Sequence, residues 1–234
     1  LAVFFTACKQ TGNTGGESTP KHAITFSVEG TNGTLKAKAD GVPETSTSPI
    51  TVEHGKEVIF TATADDGYRV KGWTLDGSTV NGTAETYTLA VTQPATVTVS
   101  FELIPEVAIL TLDAGKKDIK VKAVTADGSA IEVKGCNETT LASNTETTLN
   151  AKGTKVILKG KITELYCNGN HSNNQSLTSL NVQGLTALQK LNCSYNQLTA
   201  LDVQGLKDLQ ELNCRFNKLT TLNVQGCTSL QKLD

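Results

Sequence analysis

Between residues 23 and 103 apolar and polar side chains alternate in short runs. Ile24, Phe26 and Val28 share one side, as do Leu35, Ala37 and Ala39, with Lys36 and Lys38 opposite. Val58, Phe60, Ala62 and Ala64 follow, then Tyr87, Leu89 and Val91, then Val97, Val99 and Phe101. Side chains of an extended strand point alternately to its two faces, so each run predicts a strand buried on one side. Thr31-Asn32-Gly33, Asp65-Asp66-Gly67, Asp76-Gly77 and Asn81-Gly82 separate the runs as turns. A small antiparallel β domain is expected over residues 23–103. Within it Tyr68, Val70 and Gly72 are in one phase, and Trp73 and Leu75 in the other. A bulge at Gly72 would absorb the slip, because glycine tolerates the backbone required. Trp73, the only tryptophan, is then expected in the core; its alternative use is to stack on a sugar.

The alternation continues more weakly through residues 104–162, with Leu110 and Leu112, then Ile119, Val121 and Ala123, then Ile131 and Val133. Asn137 to Ala151 is almost wholly polar and no aromatic anchor is present, too little for an independent core. This stretch is expected to cap a repetitive segment that begins at residue 163. There Leu191-Asn192-Cys193 with Asn196, Leu198, Leu201, Val203 and Leu206 recurs 21 residues on as Leu212-Asn213-Cys214 with Asn217, Leu219, Leu222, Val224 and Cys227. An earlier copy opens at Leu165-Tyr166-Cys167 with Asn170, and residues 171–175 are inserted before its register resumes at Leu177. A fixed period of this length marks a solenoid. Leu and Cys two apart point into its core, and the Asn of each copy satisfies backbone groups at the turn. The Leu-x-x-Leu-x-Val half of each repeat predicts a second short strand or tight turn, hence a flat, two-sided solenoid.

Leu191-x-x-x-x-Asn196-x-Leu198, with Cys193 in the place of a leucine, resembles the leucine-rich repeat. The ladder Cys167, Cys193 and Cys214 is similar to the cysteine-type repeats of internalin-like and BspA-like surface proteins. Gly67-Tyr68-x-x-x-Gly72-Trp73-x-x-Asp76-Gly77 resembles the signature of internalin B-repeat-like domains, which implies a β-grasp-like spacer or adhesive module. Together these imply a mainly β chain, a β domain followed by a leucine-rich repeat solenoid over residues 163–234, and a protein partner on a host or neighbouring cell.

Six cysteines in an exported protein would ordinarily suggest disulfides. Here adjacent coils should lie about 4.8 Å apart with parallel side chains, whereas a disulfide brings Cβ atoms to roughly 3.8 Å; free thiols are expected. Cys227 stands where other copies have leucine, and Cys136 reads as part of a degenerate first coil. At the other end, Leu1-Ala-Val-Phe-Phe-Thr-Ala-Cys8 is apolar and small, and turns polar at Lys9. That is the tail of a secretory signal, and Thr6-Ala7-Cys8 resembles the lipobox of bacterial lipoproteins, with Phe5 where leucine is usual. The resemblance implies an acylated, palmitate-bearing Cys8, a flexible tether over residues 9–22 and attachment to the outer membrane. A chain that lacks Met, opens at Leu1 and stops at Asp234 inside a repeat reads as cut at both ends.

The net charge of −2 and pI near 6.0 leave no electrostatic footprint for nucleic acid. His22 falls in the tether, His54 in a turn and His171 in the insertion, so Cys167 and His171 lack a third group for nucleophilic or metal chemistry. H-E-x-x-H, P-loop, G-x-S-x-G and C-x-x-C motifs are absent from the sequence. No catalytic residue, metal site or cofactor is expected. The outward residues of stacked strands make a continuous surface. Tyr166, Lys190, Tyr195, Glu211, Arg215 and Phe216 are the candidate ligand-binding residues, with the aromatics expected in one line, since aromatics and Arg anchor interfaces. The sequence therefore reads as a lipid-anchored surface adhesin. The alternatives are a glycan-binding accessory lipoprotein of nutrient uptake using aromatics such as Trp73, or the non-catalytic part of a longer exported enzyme.

Overall fold

The computed structural model describes residues 19–169 and 177–234; Cys8, Asn170 and His171 lie outside them. Every element among the described residues is a strand. The chain forms two units. One comprises residues 19–29, Leu35–Ala62 and Gly72–Val99; the other comprises Gly30–Thr34, Thr63–Lys71 and Ser100–Asp234.

The alternating runs of the N-terminal part become β1 (Lys21–Glu29), β2 (Gly33–Ala39), β3 (Val42–Thr45), β4 (Ile50–Glu53), β5 (Glu57–Ala64), β6 (Tyr68–Leu75), β7 (Ser78–Val80), β8 (Thr86–Ala90) and β9 (Ala95–Leu103). They form one sheet in the order β4-β1-β9-β6-β7 and a second in the order β3-β2-β5-β8. The β1–β4, β2–β3, β5–β8 and β6–β7 pairs are antiparallel. The β-grasp-like module is thus made of strands alone. Phe26 of one sheet meets Phe60 of the other edge-on at 5.7 Å, and Phe60 stacks on Tyr87 at 6.1 Å.

Trp73 is fully buried beside Phe60 and Tyr87, and its indole N–H donates to the Ala84 carbonyl at 2.7 Å. An indole with no exposed face cannot stack on a sugar, which overturns that use of Trp73. Val70 and Trp73 are both buried although three apart, so β6 changes phase across Lys71-Gly72. The boundary at residue 22 expected for the tether falls inside β1. Lys21 and His22 belong to β1, paired with Glu53 and Val52, because their backbone groups complete the ladder with β4.

Residues 104–162 supply β10 (Val107–Leu112), β11 (Asp118–Thr125), β12 (Ile131–Lys134), β13 (Thr140–Leu141), β14 (Thr147–Asn150), β15 (Lys155–Lys159) and the start of β16 (Ile162–Tyr166). The repeats continue with β17 (Leu177–Asn181), β18 (Lys190–Asn192), β19 (Ala200–Asp202), β20 (Glu211–Asn213), β21 (Thr221–Asn223) and β22 (Lys232–Leu233). One sheet runs β14-β11-β16-β18-β20-β22; opposite it run β13-β12-β15-β10-β17 and then β19-β21. The second strand of each repeat is therefore present, and the solenoid has two flat sides.

On each side one antiparallel strand covers the first coil. β11 pairs antiparallel with β16, and β10 antiparallel with β17; beyond them β16, β18, β20 and β22 pair in parallel, as do β19 and β21. An uncovered first coil would present unpaired N–H and C=O groups and an apolar end. A single apolar core runs from Ala108 to Cys214, so the strands of residues 104–162 need no core of their own. Cys136 is not part of a coil: it is bridged antiparallel to Ala151, because the chain around it folds as hairpins.

The coils are held in register by asparagine. The Asn196 amide donates to the carbonyls of Cys167 and Cys193, both at 3.0 Å, and its Oδ1 accepts from the Leu177 N–H at 3.1 Å. Asn217 repeats the pattern one coil on, donating to Cys193 and Cys214 and accepting from the Leu198 N–H at 3.0 Å. Asn196 is 5 % exposed, so water cannot take over these bonds. Asn196→Ala is expected to lower unfolding stability by about 3 kcal/mol, since it strands buried backbone groups. Asn217→Ala, at a partly exposed turn, should cost about half as much. Urea unfolding followed by far-ultraviolet circular dichroism checks both, and equal midpoints for Asn196→Ala and the parent chain would contradict the account.

Candidate interaction surface

The parallel sheet β16-β18-β20-β22 carries two files of outward side chains. In the first, Glu164, Lys190, Glu211 and Lys232 stand opposite one another in strand register, so the charge alternates from coil to coil. Lys190 and Glu211 form an ion pair at 3.1 Å, and the hydrogen bond to Glu211 holds the Lys190 ammonium above its ordinary pKa. In the second file Tyr166 stands beside Asn192, and Asn192 beside Asn213. The Tyr166 hydroxyl donates to Glu164 at 2.8 Å, and the Lys122 ammonium lies 5.6 Å from the centre of its ring. Burial, and then the bond to Glu164, push the phenol up to about 12. Between the files lies a shallow depression of about 160 Å³, lined by Tyr166, Lys190, Asn192, Glu211, Asn213 and Lys232 among others.

Tyr195 and Phe216 lie elsewhere. They occupy the turn after each strand, where the N–H of Gly169 bonds to Ser194 and that of Tyr195 to Arg215. Gly169, Tyr195 and Phe216 are therefore equivalent positions. The two rings stack with centres 4.4 Å apart and planes 20° from parallel, and the Arg215 guanidinium sits 5.5 Å from the Phe216 centre. Phe216 is 58 % exposed. Both residues have left-handed backbones, with φ of 56° and 55°. That conformation suits Gly or Asn and is an outlier for an aromatic residue.

Of the six candidates, the structure groups Tyr166, Lys190 and Glu211 around the depression and Tyr195, Arg215 and Phe216 on the turn ledge. The expected single line of aromatics does not form, because Tyr166 is a strand residue three positions before the turn position of Gly169. The sequence reading missed Glu164 and Lys122 as partners of Tyr166. The opposite signs of Glu164, Lys190, Glu211 and Lys232 at equivalent repeat positions were the available signal for the charged file.

The cysteines offer little chemistry. All five described cysteines are free. Cys167 and Cys193 are buried, Cys136 and Cys214 also, and Cys227 is partly covered with its thiol 3.0 Å from the Val203 carbonyl. Burial alone pushes the Cys167 thiol up to about 12, and burial is the first cause raising Cys193 well above the usual range. Among the described residues no three or more His, Cys, Asp or Glu side chains converge as metal ligands, and no helix could cross a membrane.

Two families match the chain. Residues 34–105 match the divergent InlB B-repeat domain, and residues 186–234 match the leucine-rich repeats in two copies. None of the curated proteins matches. The described residues are all-β, and the stretch that matches the B-repeat domain precedes the one that matches leucine-rich repeats. Modules of these two kinds suggest a role in protein interaction.

At pH 8 a thiol that burial holds well above its ordinary pKa is almost wholly protonated, and the thiolate is the reactive form. Cys167 and Cys193 are therefore expected to resist iodoacetamide in the native chain and to label fully in denaturant, as read by peptide mass spectrometry. Rapid native labelling of Cys167 would contradict its place in the core.

Proposed function

We propose that this chain is a non-catalytic, lipid-anchored surface protein that binds a protein on a host or neighbouring cell through its leucine-rich repeats. Cys8 is the attachment point, the B-repeat module acts as a spacer, and the repeats make the contact. The observation that carries the reading is the turn ledge of Tyr195, Phe216 and Arg215. Two bulky rings held in a left-handed backbone conformation, beside a guanidinium, are costly to keep at a surface and match the residue types that anchor interfaces. The charged file on the parallel sheet supports a secondary role. Lys190 is already paired with Glu211 and Lys232 with Asp234, so a partner there gains selectivity through register more than net attraction.

A glycan-binding role loses Trp73 as an aromatic anchor, since that ring is in the core. The protein-binding reading rests on the repeats and needs no bound small molecule. Attachment and display make a separate part of the proposal, supported by the apolar run ending at Thr6-Ala7-Cys8.

Cells carrying the chain are expected to adhere to their target, and Tyr195→Ala with Arg215→Ala should weaken adhesion at least tenfold while the unfolding midpoint stays near that of the parent. Unchanged adhesion by the folded double variant would remove the ledge from the interface. Protease treatment of intact cells should destroy the repeats, and Cys8→Ala should release the chain from the membrane fraction. Protection of the repeats until lysis would place the protein on the inner side of the outer membrane, with its partner among the cell's own proteins.

A further inference from the structure

His22 and His54 are 32 residues apart in sequence, yet their rings meet at their nitrogens. Nε2 of His22 lies 3.1 Å from Nδ1 of His54, while the ring centres are 5.4 Å apart and the planes are tilted by 58°. The pairing is built by the fold. β1 and β4 set His22 opposite Val52, two residues before His54. The backbone N–H of His54 then bonds to the Pro20 carbonyl at 2.7 Å, which turns the chain back over the start of β1. His22 follows the inward phase of Ile24 and Phe26, and so stands half-buried at the rim of the core with His54 exposed above it.

We propose that His22 and His54 form a two-histidine chelate for a divalent transition cation of the zinc, nickel and copper class. Imidazole nitrogens bind these ions at about 2.0–2.1 Å. Two donors 3.1 Å apart at that bond length subtend about 98° at the ion, between square-planar and tetrahedral angles. Without the ion the same two nitrogens share one ring proton as a hydrogen bond. On binding, the ring that donated shifts its proton to its other nitrogen, both rings stay neutral, and the rings swing out of their end-on contact so that both lone pairs turn to the metal. No proton is released, and nothing is oxidised or reduced.

The surroundings set the class of ion and the strength. No third His, Cys, Asp or Glu converges on the pair among the described residues, so water completes the coordination and the ion exchanges readily. Nitrogen donors without carboxylates disfavour calcium and magnesium, and the order among the others is copper above nickel and zinc. Glu53 is engaged at 3.9 Å by Lys21, so the charge beside the pair is nearly balanced. β4 is the edge strand of its sheet. A metal bridging His22 and His54 would staple that edge where the chain enters the module, and any ion held only by the folded state raises its stability.

Nickel, zinc and copper salts titrated into the chain without a histidine tag should give one saturable site by calorimetry, and saturating zinc should raise the unfolding midpoint. His22→Gln and His54→Gln should each weaken binding at least tenfold and abolish the midpoint shift, while His171→Gln leaves both intact. Bound copper should show two nitrogen donors by electron paramagnetic resonance. Both substitutions are at the module's rim, and unchanged metal-free midpoints would confirm that the variants fold. Absence of binding at millimolar nickel, or binding that survives His22→Gln, would overturn the proposal.

Discussion

Asn196 and Asn217 each bond backbone groups on two successive coils at once. The Asn196 amide reaches a carbonyl of its own coil and one of the coil before, while its oxygen takes the N–H that begins the return strand. A solenoid coil is too small to bury its own polar turn, and its stacking leaves that turn inside. Were the side chain absent, the Leu and Cys residues on either side could still be apolar, but the coils would have no fixed register. The flat sheets, the charged file and the aromatic ledge all inherit their spacing from this bond pattern.

The antiparallel cap solves a second problem that the repeats create. Parallel coils grow by presenting an open edge, and two flat sides mean two edges. β11 and β10 close one each, with a register shift in each pairing where straight strands meet the coil. Because the core is continuous across this join, the cap and first coils are expected to share their stability rather than add separate amounts.

Much of this was legible in the sequence. Period-two runs gave the strands of the B-repeat module, and the recurrence of Leu, Cys and Asn gave the solenoid, its inward residues and its second strand. Trp73 was correctly set in the core by its phase slip after Gly72. Other features escaped for physical reasons. Cys136 follows a glycine much as Cys227 does, yet hairpin pairing decides its surroundings, and pairing between distant strands leaves no mark on local spacing. Tyr166 and Tyr195 look alike when flanking residues are counted, but one sits on a strand and the other in a left-handed turn, and the two project to different parts of the surface. The His22–His54 contact joins two stretches that only β1–β4 register brings together. The remaining candidates, Lys190, Glu211, Arg215 and Phe216, were found as surface residues, but their division into two groups depended on turn geometry.

The alternating file also constrains how such a chain can lengthen by duplication. Every coil offers its neighbour the same backbone pattern, so a copied coil would fit anywhere in the stack. The side chains are not so indifferent. Glu164, Lys190, Glu211 and Lys232 repeat every second coil, and a single inserted copy would set two glutamates or two lysines side by side, where like charges repel. Copying coils in pairs keeps the signs in step. The natural unit of inheritance for this face is therefore the double repeat, with the single repeat as the unit of folding.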